Sequence, residues 1–519
     1  MTIRPIRSVL RILLLLPLLF PLTAVEAQTL PPDDVVHVTV TSEELAGEFA
    51  RLAALRESEG MTARVVTLAW IADHVPAGVD DAETLRNFAV AAHAEWGLQF
   101  LLLGGDASIV PVRTVWNEFY PPGSGTEIPV DLYYGGLEGD WNADGDDLWG
   151  EPWLGEDEPG DAADLEADIA VGRAPVTTVA EAARFVDGVV AADAGAAQQI
   201  AEFLMMAEVL FPTSWQPGDP IHVDGADFAI ELEDRMMQAP SPPTVTRMFE
   251  SGTHPHDLPL DRAHALSALD SGRFGMVMAI THGWFDQISV GSELLSGTDL
   301  LDLGNAPDYF VMTGWGPANA SFEPEAFFRS ALAVPEGGAV GCVGWTVASF
   351  PSVAFDSCER LLERLYLGEP RRLGPAVDHA RMLEPELLEL NTVWRWNAMA
   401  LALLGDPALR MGPVPDWDAT TAAPVPAAGL RLSPPAPNPF NPTTVLRFEL
   451  LRAGHAELAI YALDGRLVDV LVDGQVRAGR HEVFWRGTDA RGRALPSGSY
   501  LARLRSDGQT AVQRLQLVR

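Results

Sequence analysis

"FGMVMAITHG", Phe274 to Gly283, runs apolar for seven residues before it breaks at Thr281-His282-Gly283. An unbroken apolar run, rather than an alternating one, marks a strand buried on both faces, as in a parallel sheet covered by helices. The pattern recurs in "VVHVTV" (35–40), "ARVVTLAWI" (63–71), "FLLLGGD" (100–106), "ADIAVGRAPV" (167–176), "FLMMAEVLF" (203–211), "DYFVMTGW" (308–315) and "GGAVGCVGWT" (337–346). Helical segments separate most of these runs. Thr41 and Glu44 have the spacing of a capping box, before a helix with Leu45, Phe49, Leu52 and Leu55 on one face and a stop at Gly60. A second helix is expected from about Ala82 to Trp96. The pattern predicts an α/β architecture of two linked, mainly parallel sheets, with a boundary near residue 200.

At 519 residues the chain is too long for one ordinary domain. Its formal net charge of −37, without a single lysine, would repel a phosphate backbone, which argues against nucleic-acid binding. Residues 1–27 have the form of a signal peptide. Arg4, Arg7 and Arg11 precede the apolar stretch "ILLLLPLLF", and small residues at Val25 and Ala27 suit cleavage before Gln28. No later stretch is long and apolar enough for a membrane span, so the mature chain is expected to be exported and free of transmembrane segments. Cys342 and Cys358 are the only cysteines, too few for a disulfide framework.

Residues 412–431 are rich in Pro and Ala and read as a semi-stiff linker. Beyond them, residues 432–519 shift to short alternating strands separated by glycine turns, the pattern of an antiparallel β-sandwich. From Arg431 onward there are 13 Arg against 8 Asp and Glu, a formal charge of +5, which leaves −42 for the remainder.

Two stretches carry chemistry. "DWNADGDDLWGE" (140–151) meets the pattern D-x-[DN]-x-[DN]-G-x₅-E, with Asp140, Asn142, Asp144 and Glu151 as side-chain ligands and Asp146 offering its carbonyl. Hard carboxylate oxygens at these offsets suit a structural Ca²⁺, and flanks that read as strand and loop set the site apart from a sensor hand. His282 lies just past the carboxyl end of a strand, where an α/β sheet meets its ligands. A cysteine–histidine enzyme would place its thiol at the end of the neighbouring strand, which here reads Thr313-Gly314-Trp315. Asp131 and Asp286, near the ends of their motifs, are candidates to orient the imidazole or bind a basic side chain. Thr313 is expected to point away from the site or along the strand.

Over most of residues 36–411 the chain resembles the gingipain-type cysteine peptidases, which have a caspase-like fold. The resemblance rests on "LLLGGDASIVPV" (101–112), "DLYYGGLEGDWNADGD" (131–146), "DIAVGRAPVTTVAEA" (168–182), "THG" (281–283), "GGAVGCVGWT" (337–346) and "LLGDPALRM" (403–411), in family order. It implies that residues 28–411 form the peptidase domain, that His282 is the catalytic imidazole and that Gly283 helps to form the oxyanion site. It also places Trp315 where the family has its nucleophilic cysteine. An indole cannot attack a carbonyl, so a degenerate peptidase is expected that binds peptide or another surface ligand in a groove bordered by Trp284, Trp315 and Trp345, unless these tryptophans simply fill the vacated pocket. The alternatives are an active endopeptidase using Cys342 and a calcium-stabilised surface scaffold. Cys342 and Cys358 both read as ordinary buried residues.

The C-terminal motifs "PNPFNPTT" (437–444), "IYALDGRLV" (460–468), "AGRHEVFWRGTDARG" (478–492) and "PSGSYLARL" (496–504) resemble the sorting domain of type IX secretion, an Ig-like sandwich similar to the flagellar hook-capping domain. This implies recognition by the type IX machinery and a place at the outer-membrane surface or in the medium.

Overall fold

A computed structural model of the chain describes Leu30, residues 33–412 and residues 431–518. Within these spans 117–126, 147, 153–159, 197–198, 317, 369–370, 383–392, 437–439, 451–453, 464, 478 and 507–508 are not described. The expected signal peptide and nearly all of the expected linker lie outside the described residues.

Eleven strands form one sheet. They are β1 (His37–Thr41), β2 (Ala63–Thr67), β3 (Phe100–Gly104), β4 (Ala170–Ala174), β5 (Glu202–Ala207), β6 (Thr244–Phe249), β7 (Leu258–Pro259), β8 (Met276–Ile280), β9 (Phe310–Gly314), β10 (Ala339–Trp345) and β11 (Leu401–Gly405). Their order is β7-β6-β5-β8-β9-β10-β11-β4-β3-β1-β2. Every pairing of two or more residues is parallel except β10 with β11. The two expected sheets are therefore joined edge to edge. Strands from before and after residue 200 meet where β11 lies between β10 and β4, touching β4 through Leu404 opposite Arg173.

The central strands β3, β8, β9, β10 and β11 are buried at every position, which is why they read as continuous apolar runs. Helices α1 (Ala46–Ser58), α2 (Asp81–Trp96), α3 (Val179–Ala194), α4 (Gly225–Met236), α5 (Pro351–Tyr366) and α6 (Val393–Ala400) are among those that cover the sheet. Asp80 accepts the Glu83 N–H to cap α2, and Gly97 at φ +80° ends it. The expected capping box at Thr41 is not formed. Thr41 is still in β1, its hydroxyl donates to the Gly104 carbonyl at 2.5 Å, and α1 starts only at Ala46. Likewise "ARVVTLAWI" is a strand only to Thr67, which caps a short helix over Leu68–His74.

The C-terminal region forms two antiparallel sheets around their own core of Leu446, Phe448, Leu458, Ile460, Trp485 and Leu515 among others. Strands β12 (Arg431–Ala436), β13 (Thr444–Leu450) and β16 (Gly479–Trp485) make one sheet. The other contains β14 (Gly454–Ala462), β15 (Leu467–Val476), β17 (Gly498–Ser506) and β18 (Gln509–Leu517), in the order β15-β14-β17-β18. No helix among the described residues is long and apolar enough to cross a membrane.

Candidate active site

The neighbouring strands β5, β8 and β9 build the site. β8 ends at Ile280, and two residues later His282 carries a half-buried imidazole. β5 ends at Ala207, and the next residue, Glu208, turns its carboxylate to His282. Glu208 Oε1 accepts both from the backbone N–H of His282 and from the ring at Nδ1. That bond raises the imidazole's pKa above its ordinary value of 6.5, against the opposing effect of burial. A carboxylate on Nδ1 fixes the ring's orientation, the role of the acid in a nucleophile–histidine–acid triad. Glu250 lies alongside, its Oε2 accepting the Val209 N–H at 2.9 Å, and burial with Glu208 and Asp224 nearby raises its pKa.

Glu208 was not anticipated from the sequence. The signal was an acidic residue inside "FLMMAEVLF", where the run divides into β5 and a separate short strand, Val209–Phe211. Neither carboxylate expected to serve the imidazole does so. Asp131 is buried and paired on both oxygens with Arg173, with Nε at 2.8 Å and Nη2 at 2.7 Å, so it is committed to that arginine inside the fold instead of facing the imidazole. Asp286 has Oδ1 buried without a partner, and its main-chain carbonyl accepts the Gly297 N–H.

The position expected to correspond to the nucleophile closes inward. Trp315 follows β9 and is 5% exposed, and its Nε1–H donates to the Cys358 sulfur at 2.9 Å. Its ring packs 5.2 Å from Phe228 and 6.3 Å from Phe355, in the range of aromatic pairs. Thr313 is also buried and lies beside the Cys358 thiol, on the side of Trp315 and not the opposite one. Residues i and i+2 of a strand share a face. Burial pushes the Cys358 thiol up to about 12 and raises that of Cys342 as well. Cys342 is fully buried in the middle of β10. Neither supplies a thiolate at neutral pH.

Of the other expected groove residues, Trp284 is 61% exposed; Phe211, which was not anticipated, lies edge-on to His282 at 6.1 Å. Trp345 borders no groove. It is the last residue of β10, wholly buried, and its indole donates to the Asn397 carbonyl. Gly283 pairs with Ile288 in a hairpin, and a Cβ there would lie 2.4 Å from the Gln287 carbonyl oxygen, so this position has a steric need for glycine.

In the acidic loop, ligand atoms of Asp144, Asp146 and Glu151 lie within 4.8 Å of one another. Gly145 makes the turn at φ +75°, and strands at 139–140 and 162–163 flank the loop, as expected. The sequence pattern is only partly realised. Asp140 lies outside the cluster and accepts the Asn142 N–H, while the Asp146 carbonyl accepts from the Asn142 amide at 2.9 Å. Asp161, distant in sequence, reaches in to accept the N–H groups of Ala143, Gly150 and Glu151.

The family model described as Peptidase family C25 matches residues 30–412. A search of curated proteins returned no match. Among solved structures, the complex of the pro- and mature domains of RgpB from Porphyromonas gingivalis aligns at 13% identity with a TM-score of 0.53, covering 93% of this chain and 100% of that one. The Arg-specific cysteine proteinase gingipain R aligns at 14% identity and TM-score 0.53, covering 93% and 98%. At this identity the alignments establish the fold, a caspase-like α/β sheet. The chain belongs to Peptidase family C25, and its residues 30–412 form a gingipain-like cysteine-peptidase domain.

Proposed function

We propose that this chain is an exported, degenerate peptidase whose site binds a peptide or another surface ligand without cleaving it. The observation that carries this reading is Trp315. Its indole fills the slot that the family gives to the nucleophile and is bonded into the core at Cys358. His282 keeps its carboxylate, and Phe211, Trp284 and Leu294 are the exposed apolar side chains of the adjoining segments. An imidazole with no cysteine bonded to it among the described residues, beside exposed aromatic surface, suits binding. An active enzyme working through Cys342 is disfavoured, because that thiol is enclosed in the middle of a strand with its pKa raised by burial.

Fluorogenic peptides incubated with the natural chain should show no turnover, whereas the Trp315→Cys variant should gain iodoacetamide-sensitive turnover that His282→Ala removes. Hydrolysis by the natural chain would defeat the proposal.

The acidic loop is proposed to hold a structural Ca²⁺. Asp144, Asp146 and Glu151 gather three carboxylates, and the Asn142 Oδ1 is buried without a partner, so a hard cation would relieve both mutual repulsion and an unmet acceptor. Calorimetry should show Ca²⁺ binding that Asp144→Ala abolishes, and a chelator should lower the melting temperature. Absence of heat and of any chelator effect would remove the ion from the account. The leader-like residues 1–27 and the C-terminal motifs support export by the type IX machinery to the cell surface or the medium.

A further inference from the structure

Helix α5 is shared by the nucleophile slot and the C-terminal sandwich. Toward the slot it presents Cys358, which accepts the Trp315 indole N–H, and Phe355, which packs on the same indole. Toward the sandwich it presents Asp356 and Glu359, which pair with Arg503 and Arg505 of β17. The Arg505 guanidinium lies 5.3 Å over the Phe355 ring, so one aromatic ring separates a sandwich arginine from Trp315.

Helix α4 closes the circuit. At its start the Gly225 N–H donates to the Glu208 carbonyl at 2.9 Å, its Phe228 packs on both Trp315 and Phe355, and its Arg235 pairs with Glu359 at 2.9 Å. The two helices therefore link the sandwich to both halves of the site: Glu208, which orients His282, and Trp315, which fills the slot.

The contact is built for permanence. Arg503, Asp356 and Glu359 are each less than a tenth exposed, and Arg503 also donates to the Tyr461 hydroxyl at 2.6 Å. Around them Val353, Val393, Trp394, Tyr461, Leu501 and Val512 form a shared apolar cluster. Charges so far removed from water are costly unless paired, so both surfaces depend on remaining covered.

We propose that the sandwich is a positioning partner of the candidate site. Docked through Arg503 and Arg505, it clamps α5 and α4 so that Trp315 stays seated over Cys358, and undocking loosens that slot. The inference rests on these contacts and stands whether or not the site binds a ligand.

The two cysteines report on it. Iodoacetamide labelling of the full chain, resolved by peptide mass spectrometry, should be slow at both thiols in the natural protein. In the Arg503→Ala/Arg505→Ala variant, labelling of Cys358 should accelerate on the order of tenfold or more while Cys342, inside β10, stays protected. The variant Arg503→Lys/Arg505→Lys should restore part of the protection. A protease site inserted between residues 413 and 430 reports docking separately: after cleavage the natural pieces should co-elute and the alanine-variant pieces should separate. Three results overturn the proposal. They are a protected Cys358 in the separated variant, equal acceleration at both cysteines, and an alanine variant that remains docked.

Discussion

Among the described residues, two histidine–carboxylate pairs with a buried carboxylate do different work. His37 opens β1 and meets Asp406, just past β11, at 3.1 Å, with neither side chain exposed. His282 lies past the end of β8 and meets Glu208, with the imidazole 34% exposed and the carboxylate 4%. The pairs differ in what surrounds them. Asp406 also accepts two bonds from Arg56 and one from the Ala408 N–H, and Arg56 goes on to Glu59 and Asp193. That imidazole is one member of a closed network tying β1, α1, α3 and the end of β11 together. His282 keeps an open side beside Phe211 and the exposed Trp284. A histidine–carboxylate contact by itself therefore assigns no role; enclosure and the count of neighbours do.

Breaking the closed network should have the larger effect. Arg56→Leu leaves Asp406, Asp193 and Glu59 buried with much of their compensating charge removed. Stability to urea should fall by about 3–5 kcal/mol, the cost of stranding a buried charge. A loss near zero would mean that the network is solvated and that the contrast with His282 is false. At the open pair, Glu208→Gln keeps a hydrogen-bond acceptor and loses only the charge, so the same denaturation experiment should register about 1 kcal/mol or less. Its main effect should be electrostatic, with the His282 imidazole, followed by NMR, titrating lower than in the natural chain. An unchanged titration would show that Glu208 does not set the ring's charge.

The same contrast explains what was legible in the sequence. The strands were, because burial on both faces leaves no room for polar residues, and His282 stood out as the residue that ended such a run. Its partner did not. "FLMMAEVLF" reads as one strand until the chain is seen to break at Glu208, and the pairing joins residues 74 positions apart. A lone acid in nine residues of apolar sequence needs a partner, and that was the available clue. Asp131 misled for the complementary reason. Arg173 is enclosed within β4 and demands a carboxylate, but nothing local says which one. The three tryptophans expected at the groove sit differently with respect to their strand ends. β10 extends to Trp345 and pairs it with Leu401, β9 stops one residue before Trp315, and Trp284 stands on the open face of a hairpin. Differences of one residue in a strand end fall below what periodicity resolves.

The smallest effect is also the sharpest test of the comparison, because the two pairs should lose stability at opposite ends of the pH scale. Burial acts to raise Asp406, but Arg56 and His37 prevail and hold it well below its ordinary 3.8. Its contribution is thus fully present above 3.8 and disappears only as pH falls further into acid. His282 is shifted the other way, upward from 6.5 by its bond to Glu208. Its contribution is complete below 6.5 and is lost as pH rises through the folded-state value, because the unfolded chain gives up that proton first. Melting temperatures of the natural chain should therefore drift down above pH 6.5 by a component that His282→Gln removes, while Asp406→Asn leaves that component in place and flattens the acid limb. If His282→Gln left the alkaline slope unchanged, the open pair would be electrostatically silent. The raised imidazole would then be no part of what holds β8 to β5.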